Sequence, residues 1–174
     1  MKRCLDDPDC PMKRVREEHF ETYARYWRFA LHYRSFVAVP DRPIPELVLL
    51  VGPTGCGKSV WTRKTFPDAF WLTPGKWFDG YNEEATIVLD DFYGWMPYHL
   101  LLRLLDTTPF RAETKGGHVV VQNTSLVITS NKLPAEWYDE KINCAALLRR
   151  LSEWALSPND STLGPKLYQY SLLY

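Results

Sequence analysis

The feature that most constrains this chain is a glycine-rich turn that follows a short apolar run. Residues 47–51 read LVLLV, a continuous run of branched apolar side chains that is typical of a strand buried on both faces. Gly52, Gly57, Lys58 and Ser59 then satisfy the pattern G-x-x-x-x-G-K-S/T. Glycines let successive backbone N–H groups turn toward a phosphate, because no Cβ blocks the approach. The sequence therefore predicts a nucleotide-binding site at this turn.

Each part of this loop has an expected task. A helix that begins near Lys58 would direct its positive N-terminal end at the phosphates. The Lys58 ammonium would reach the β- and γ-phosphates of ATP, and the Ser59 hydroxyl would bind Mg²⁺. The residues predicted to contact the nucleotide are Gly52, Pro53, Thr54, Gly55, Cys56, Gly57, Lys58 and Ser59.

Two further apolar runs end in the polar side chains that ATP hydrolysis requires. Residues 86–91 read TIVLDD, where Asp90 would hold Mg²⁺ and Asp91 would orient or deprotonate the attacking water. Residues 125–131 read SLVITSN. Asn131 could orient the same water or contact the γ-phosphate, although a lone Asn after a strand also suits a turn.

Residues 113–121, which read ETKGGHVVV, predict a β-hairpin. Gly116 and Gly117 would supply the positive φ values of its tight turn. Lys115 and His118 flank the tip and are expected to be exposed. A single lysine at a hairpin tip is usually only solvated, but in a ring of subunits the tip would repeat and form a basic constriction.

The composition excludes some classes of protein. The chain has 174 residues, of which 45% are hydrophobic, and its 21 basic and 21 acidic residues give a net charge of zero. This suits one compact domain with a small appendage, and it excludes a protein that coats nucleic acid through its overall charge. Without a signal peptide or a bilayer-spanning apolar run, we expect a soluble intracellular protein with no membrane partner. The cysteines, which show no C-x-x-C pair and no zinc-type spacing, are expected to be free thiols.

Changes of composition predict the domain boundaries. Residues 1–11 are polar and predict a disordered start, and residues 12–36 predict a helical segment because aromatic side chains recur at three- and four-residue intervals. That aromatic stripe could pack on the domain's own core or contact neighbouring subunits. Residues 37–46 contain three prolines and predict a linker. Residues 47–156 would form the ATPase domain, and residues 157–174 a tail without an assigned role.

Several smaller elements complete the prediction. A short strand is expected at residues 70–72, and helices at residues 97–106 and 145–156. The apolar face of the last helix would be formed by Leu147, Leu148, Leu151 and Ala155, with Arg149 and Arg150 projecting away from its centre. The loop that contains Trp77, Phe78 and Tyr81 is expected to pack these rings rather than to contact the nucleotide.

Taken in this order, the motifs resemble the helicase region of the replication initiator (Rep) of circoviruses and other circular single-stranded DNA viruses, a superfamily 3 helicase of the AAA+ type. The resemblance covers roughly residues 47–151 and rests on GPTGCGKS, KWFDGY, IVLDDFYGW, ETKGGHVVV and LVITSN. It implies a hexameric ring in the host nucleus that hydrolyses ATP between subunits and translocates on single-stranded DNA. The expected fold is a three-layer α/β sandwich with a mostly parallel sheet.

The resemblance also implies roles for individual residues. Asp90 and Asp91 match the family's Walker B motif, and Asn131 matches its motif C. The Walker A motif is matched by Gly52, Gly57, Lys58 and Ser59, and the DNA-binding pore hairpin by Lys115, Gly117 and the neighbouring His118. Arg149 or Arg150 falls where the family places its arginine finger, and the position of Arg150 at the border of the apolar face favours it. The helical stretch after residue 11 resembles the family's oligomerisation segment.

One departure concerns DNA nicking. The family usually carries a nickase domain with a His-hydrophobic-His motif and a Tyr nucleophile in Y-x-x-K. The chain has no His-hydrophobic-His motif, and Tyr138 with Lys141 fits Y-x-x-K only by coincidence, on the wrong side of the ATPase. We therefore expect no nicking activity, whether the chain is a fragment or lacks the nickase naturally.

Two other functions stay open at this point. One is a P-loop phosphotransferase that acts on a small molecule, but no lid arginine cluster or acceptor-binding motif is apparent. The other is a nucleotide-regulated, non-catalytic DNA-binding or assembly module. The intact set of Lys58, Asp90, Asp91 and Asn131 argues against lost catalysis.

Overall fold

The structure is a computed structural model that describes residues 1–7, 10–34, 42, 45–108, 110–139, 142, 144–155 and 166–169. The helices are α1 (Lys2–Asp6), α2 (Met12–Glu18), α3 (Phe20–Arg34), α4 (Lys58–Thr65), α5 (Tyr98–Leu104) and α6 (Ala145–Ala155), with a 3₁₀ turn at Pro134–Glu136. The strands are β1 (Glu46–Val51), β2 (Phe70–Leu72), β3 (Thr86–Leu89), β4 (Phe110–Thr114), β5 (Gly117–Val121), β6 (Ser125–Ser130) and β7 (Lys166–Gln169).

The central sheet is parallel and has the strand order β2-β3-β6-β1-β7. β6 lies between β3 and β1, with Leu126 opposite both Ile87 and Leu47. β4 and β5 form a separate antiparallel hairpin. The predicted parallel sheet, with the strands near residues 47–51, 86–90 and 125–130 next to one another, is confirmed.

The sheet is covered on both faces because its strands alternate their side chains between two apolar clusters. In β1, Leu47 and Leu49 pack in the cluster that contains Leu101 of α5. Val48 and Leu50 point to the opposite cluster, which Trp61 of α4 covers. Burial on both faces explains why these strands read as continuous apolar runs in the sequence.

The first residues correct the prediction of a disordered start. α1 is helical, and Leu5 is buried in a small cluster with Cys10, Val15 and Ala30. α1, α2 and α3 therefore form one helical unit, in which Tyr26 interrupts the α3 geometry at φ −123° and ψ 24°.

The helical unit packs on the domain that contains the parallel sheet. The Met12 N–H donates to Glu83 Oε2 at 2.7 Å, and Arg16 Nη2 donates to Asn82 Oδ1 at 3.0 Å. Burial raises the pKa of Glu83. The predicted aromatic stripe is only partly buried. Tyr23 packs at the edge of the helical core, whereas Phe20 is 68% exposed.

Within the described residues, the structure changes two predicted boundaries, those of the linker and of the tail. Arg42, in the predicted linker, is buried and donates to Asn123 Oδ1 and to the Leu104 carbonyl. The predicted tail contains β7, which pairs with β1 and extends the sheet beyond residue 156. The rest of the linker and most of the tail lie outside the described residues.

Three local predictions are also corrected or confirmed. Among the described residues at the hairpin turn, Gly116 alone has a positive φ (106°), so Gly117 is not needed there for its backbone freedom. Leu148 is exposed rather than part of the apolar face. Phe78 and Tyr81 are buried as expected, whereas Trp77 is 39% exposed.

Within the part of the chain that the structure describes, no helix combines the length and the apolar character needed to cross a bilayer.

Candidate functional site

The predicted catalytic side chains meet at one edge of the sheet. The glycine-rich loop follows β1, Asp90 follows β3 and Asn131 follows β6. Because these strands are parallel neighbours, their carboxyl ends open at the same edge, where α/β folds place ligands. The topology therefore gathers residues that are up to 73 positions apart in the chain.

Lys58 is the first residue of α4 and lies in the centre of this site. Its side chain is buried, with 7% exposed. The ammonium Nζ donates to the carbonyls of Gly52 at 2.8 Å and Pro53 at 2.9 Å. It also donates to Asn131 Oδ1 at 2.8 Å and lies 3.7 Å from Cys56 Sγ. The loop and Asn131 thus surround a cation with neutral oxygen atoms.

The backbone of the loop depends on two glycines with left-handed geometry. Gly55 has φ 85° and Gly57 has φ 91°, and no atom lies within 4 Å of the position that a Cβ would take at either residue. Gly57 is the N-cap of α4 and no side chain caps the helix there. The first turn of α4 is therefore left without a side-chain cap, and an uncapped helix N-terminus is an arrangement that can bind phosphate.

A chain of hydrogen bonds joins Ser59 to both aspartates. The Ser59 hydroxyl donates to Asp90 Oδ1 at 2.7 Å. The Thr129 hydroxyl donates to the same oxygen at 2.7 Å and accepts the Asp91 N–H at 2.8 Å. Thr129 is 1% exposed and was not predicted as a site residue. The one hint in the sequence is that this residue carries a hydroxyl two positions before Asn131. The hint is weak, because threonine is common in β-strands.

Asn131 closes this network. Its Nδ2 donates to Asp91 Oδ1 at 2.7 Å, while its Oδ1 accepts the Lys58 ammonium. Asp91 has φ 46°, a left-handed conformation that is uncommon for a residue other than glycine. The bonds to Asn131 and Thr129 hold this conformation and direct the exposed carboxylate into the site.

The turn after β3 is fixed against the segment that follows β6. The Phe92 N–H donates to the Thr129 carbonyl at 2.7 Å. Trp137 Nε1 donates to Ser130 Oγ at 3.0 Å, and the Phe92 ring packs edge-on against Trp137. A Cβ at Gly94, which has φ 95°, would lie 1.7 Å from the Trp137 carbonyl oxygen. Glycine is therefore required at position 94.

The predicted DNA-binding residues lie on the β4–β5 hairpin, outside the central sheet. Lys115, Gly117 and His118 are exposed at its tip. The Lys115 N–H donates to Asp79 Oδ1 at 2.7 Å, so its bond to Asp79 uses the backbone and not the side chain. A cleft of about 300 Å³ separates the tip from the helical unit, and its lining includes Trp27, Lys115 and His118.

The two candidate arginine fingers lie on α6. Arg149 is exposed, and Arg150 is partly buried. Arg150 Nη2 forms an ion pair with Asp106 Oδ2 at 3.3 Å. Burial alone would raise the pKa of Asp106, but the hydrogen bonds from Arg150 and from the Thr107 and Thr108 amides lower it overall. Arg150 thus has a partner within its own chain.

Tyr138, the tyrosine of the Y-x-x-K match, is packed against neighbouring residues. The Tyr138 hydroxyl donates to the Met96 carbonyl at 3.0 Å, and burial raises the pKa of Tyr138 above its ordinary value. Its ring packs against Tyr98. Lys141 lies outside the described residues.

Comparison of the sequence with known proteins shows which proteins the chain is similar to. Residues 48–132 match the family model described as RNA helicase. The replication-associated protein of Porcine circovirus 2 is 46% identical over 123 residues, which cover 66% of this chain and 39% of the relative. That of Beak and feather disease virus is 40% identical over 143 residues, covering 81% and 49%. That of Goose circovirus is 36% identical over 160 residues, covering 90% and 54%.

The chain spans about half the length of the curated relatives it matches. The matched segment includes the glycine-rich loop, both aspartates, the hairpin and Asn131. The resemblance that the motifs predict is therefore confirmed: the chain is similar to the circovirus replication-associated proteins over most of its length, and residues 48–132 match the RNA helicase family model.

Proposed function

We propose that the chain is the ATP-driven helicase motor of a protein that replicates a circular single-stranded DNA genome by the rolling-circle mechanism. The observation that carries this proposal is the chain of hydrogen bonds that links Lys58, Asn131 and Asp91 beside the glycine-rich loop. A site with this composition suits phosphoryl transfer to water, because it combines a phosphate-binding cation with a carboxylate and an amide that can hold a water.

The residues present fit ATP and Mg²⁺. The uncapped first turn of α4 and the open space beside Gly55 and Gly57 match the needs of a triphosphate. Ser59 Oγ and Asp90 Oδ1, which are 2.7 Å apart, are hard oxygen donors of the kind that Mg²⁺ takes together with phosphate oxygens and waters. When bound, Mg²⁺ would neutralise charge on the phosphates.

The chain's own side chains would then divide the work. Lys58 would exchange its contacts with the Gly52 and Pro53 carbonyls for the β- and γ-phosphate oxygens. Asp91 would accept a hydrogen bond, and later the proton, from the attacking water. Asn131 contacts both Asp91 and Lys58, so it would keep the water in line with the phosphate that Lys58 holds. Thr129 would position Asp90 and Asp91 relative to each other.

Single-stranded DNA would contact the hairpin tip. Lys115, Gly117 and His118 are exposed there, and Trp27 offers an aromatic face across the cleft. Basic groups beside an aromatic ring suit a single strand, since the backbone is attracted by charge and the bases can stack. With a net charge of zero, the chain would gain affinity by repeating this tip around a ring.

The proposed ring is a hexamer with ATP at subunit contacts, located in the host nucleus. Phe20, Tyr26 and Phe29 of α3 are all more than half exposed, and such rings are enriched at protein interfaces. The helical unit would therefore serve as the oligomerisation segment. Arg150 would leave Asp106 and act as an arginine finger on the neighbouring subunit's ATP.

The deciding experiment measures steady ATP hydrolysis with and without single-stranded DNA, together with the mass of the particle in solution. Hydrolysis without any acceptor, stimulated by DNA in a hexamer-sized particle, is the expected result. Lys58→Ala is the matched control and should be inactive. Hydrolysis only when a small acceptor is added would favour a phosphotransferase, and nucleotide binding without turnover would favour an assembly module.

A further inference from the structure

Three segments of the candidate site meet at Ser130, the last residue of β6. Ser130 is fully buried, with 0% exposed. Its main-chain carbonyl accepts the Gly52 N–H at 3.1 Å. Its hydroxyl oxygen lies 2.6 Å from the Phe92 carbonyl and accepts the Lys132 N–H at 3.0 Å. Ser130 therefore joins the start of the glycine-rich loop, the turn after β3 and the segment after β6.

The partners of the Ser130 hydroxyl determine where its proton points. A serine hydroxyl has one proton to donate and two lone pairs that accept. The Lys132 N–H and Trp137 Nε1–H, both at 3.0 Å, occupy the two lone pairs. The proton is left for a carbonyl, and that of Phe92 is nearer, at 2.6 Å, than that of Lys132, at 2.8 Å. The Lys132 carbonyl also has Trp137 Nε1 as a donor at 3.2 Å, so we assign the Ser130 proton to Phe92.

This hydrogen bond lies next to two of the proposed catalytic residues. Phe92 directly follows Asp91, and Ser130 directly precedes Asn131. The side chains of Asp91 and Asn131 are themselves joined by a hydrogen bond of 2.7 Å. Asp91 has φ 46°, a conformation that persists only where its surroundings support it. The Ser130 hydroxyl thus holds the main chain beside Asp91 against the strand end that carries Asn131.

Two tryptophans pack edge-on against the Phe92 ring, but only one of them bonds to Ser130. The ring centroids of Trp95 and Trp137 lie 5.1 and 4.9 Å from that of Phe92. Trp137 Nε1 donates to Ser130, whereas Trp95 Nε1 is buried and has no acceptor among the residues that the structure describes. The two side chains therefore separate the effect of ring packing from the effect of the indole N–H.

We propose that Ser130 and Trp137 are positioning residues for ATP hydrolysis, a role that rests on the function proposed above. The Trp137 N–H orients the Ser130 hydroxyl, and this hydroxyl fixes Asp91 relative to Asn131, so that both can hold the attacking water. Neither side chain has to contact the nucleotide. The bond between Gly52 and Ser130 uses only main-chain atoms, so the glycine-rich loop does not depend on the hydroxyl. Loss of the hydroxyl should therefore slow hydrolysis and spare ATP binding.

The test measures kcat for ATP hydrolysis by the full chain and the Kd of a non-hydrolysable ATP analogue in the presence of Mg²⁺. Ser130→Ala should lower kcat by about 100-fold, the cost of a displacement of about 1 Å at a reacting group. Trp137→Phe keeps a ring against Phe92 and removes one hydrogen bond, so it should lower kcat by about 10-fold and covers the case in which Ser130→Ala fails to fold. The Kd should stay at the wild-type value in both variants. Trp95→Phe removes the same atoms beside Phe92 and is the matched control, with kcat expected to be unchanged.

Several results would overturn this role. Equal loss of kcat in Trp137→Phe and Trp95→Phe would show that ring packing on Phe92 matters and the indole N–H does not. A loss of analogue affinity as large as the loss of kcat would mean that the two residues support the fold of the nucleotide site as a whole. Wild-type turnover in Ser130→Ala would refute the positioning role and leave the proposed function standing. Absence of hydrolysis by the unmodified chain would instead refute the proposed function, and this role with it.

Discussion

Replacing Thr129 by valine tests whether the hydrogen-bond network, rather than packing, organises the candidate site. The two side chains have nearly the same shape, so Thr129→Val fills the same buried space but removes the hydroxyl. That hydroxyl donates to Asp90 at 2.7 Å and accepts the Asp91 N–H at 2.8 Å. The substitution therefore deletes two hydrogen bonds and creates no cavity.

The expected cost follows from these two hydrogen bonds. A hydrogen bond to a charged group contributes about 1.5–3 kcal/mol, and a polar group left without its partner costs about 1–3 kcal/mol. The second cost lies at the low end of its range because Asp91 is exposed and water can reach its amide. We expect Thr129→Val to lower the free energy of unfolding by about 2–3 kcal/mol, which is a large part of the roughly 5–15 kcal/mol typical of a domain.

Turnover should fall as well, because Asp91 would lose one of the bonds that hold it at φ 46°. A displacement of about 1 Å at a reacting group can cost about 100-fold in rate. Urea unfolding of the nucleotide-free protein and steady-state ATP hydrolysis measure the two effects. Thr129→Ser is the matched control: it keeps the hydroxyl, removes a methyl group worth about 1 kcal/mol and should retain activity. If the serine variant is impaired and the valine variant is not, packing rather than hydrogen bonding holds the site.

Three further predictions concern the other proposed roles. Lys58→Ala should abolish hydrolysis, whereas Asp91→Asn should retain ATP binding and slow turnover; equal loss of nucleotide binding in both variants, measured by calorimetry, would contradict this division. Lys115→Ala should leave basal hydrolysis unchanged and flatten the salt dependence of single-stranded DNA binding by roughly 0.7 for each phosphate that is no longer neutralised; an unchanged salt slope would remove Lys115 from the DNA path. Arg150→Ala should lower turnover by about 10³–10⁵ if it is the finger, with a stability loss below about 1 kcal/mol because its ion pair with Asp106 is partly exposed. Asp106→Asn, which frees the same arginine, should not lower turnover. If it lowers turnover as much as Arg150→Ala does, activity depends on the ion pair between Arg150 and Asp106, and Arg150 is not the finger.

Features set by local chemistry were predictable from the sequence. The strand after residue 46 and the helix that begins at Lys58 lie where the apolar run and the glycine loop indicate. The meeting of Lys58, Asp90 and Asn131 followed from one rule, that neighbouring parallel strands open at the same edge. Their roles in hydrolysis stay predictions.

Features set by tertiary packing were not predictable. α1 lacks a side-chain cap and lies among aspartates and a proline that favour turns, yet Leu5 finds a buried position against α2 and α3. Thr129 looks like any β-branched strand residue until Asp90 and Asp91 are placed beside it. Leu148 follows the helical period of α6 but is 42% exposed.

The attachment of the hairpin to the helical unit sets the path that force would take through the molecule. The hairpin bonds to residues 78 and 79 through the Phe78 N–H to Glu113 carbonyl hydrogen bond (2.9 Å) and the Lys115 N–H to Asp79 hydrogen bond. Three residues further on, the same loop bonds to α2 through Asn82 and Glu83. A load on the hairpin tip would therefore reach the helical unit through this loop. If the hairpin moves DNA as proposed, the helical unit would be the anchor against which it pulls.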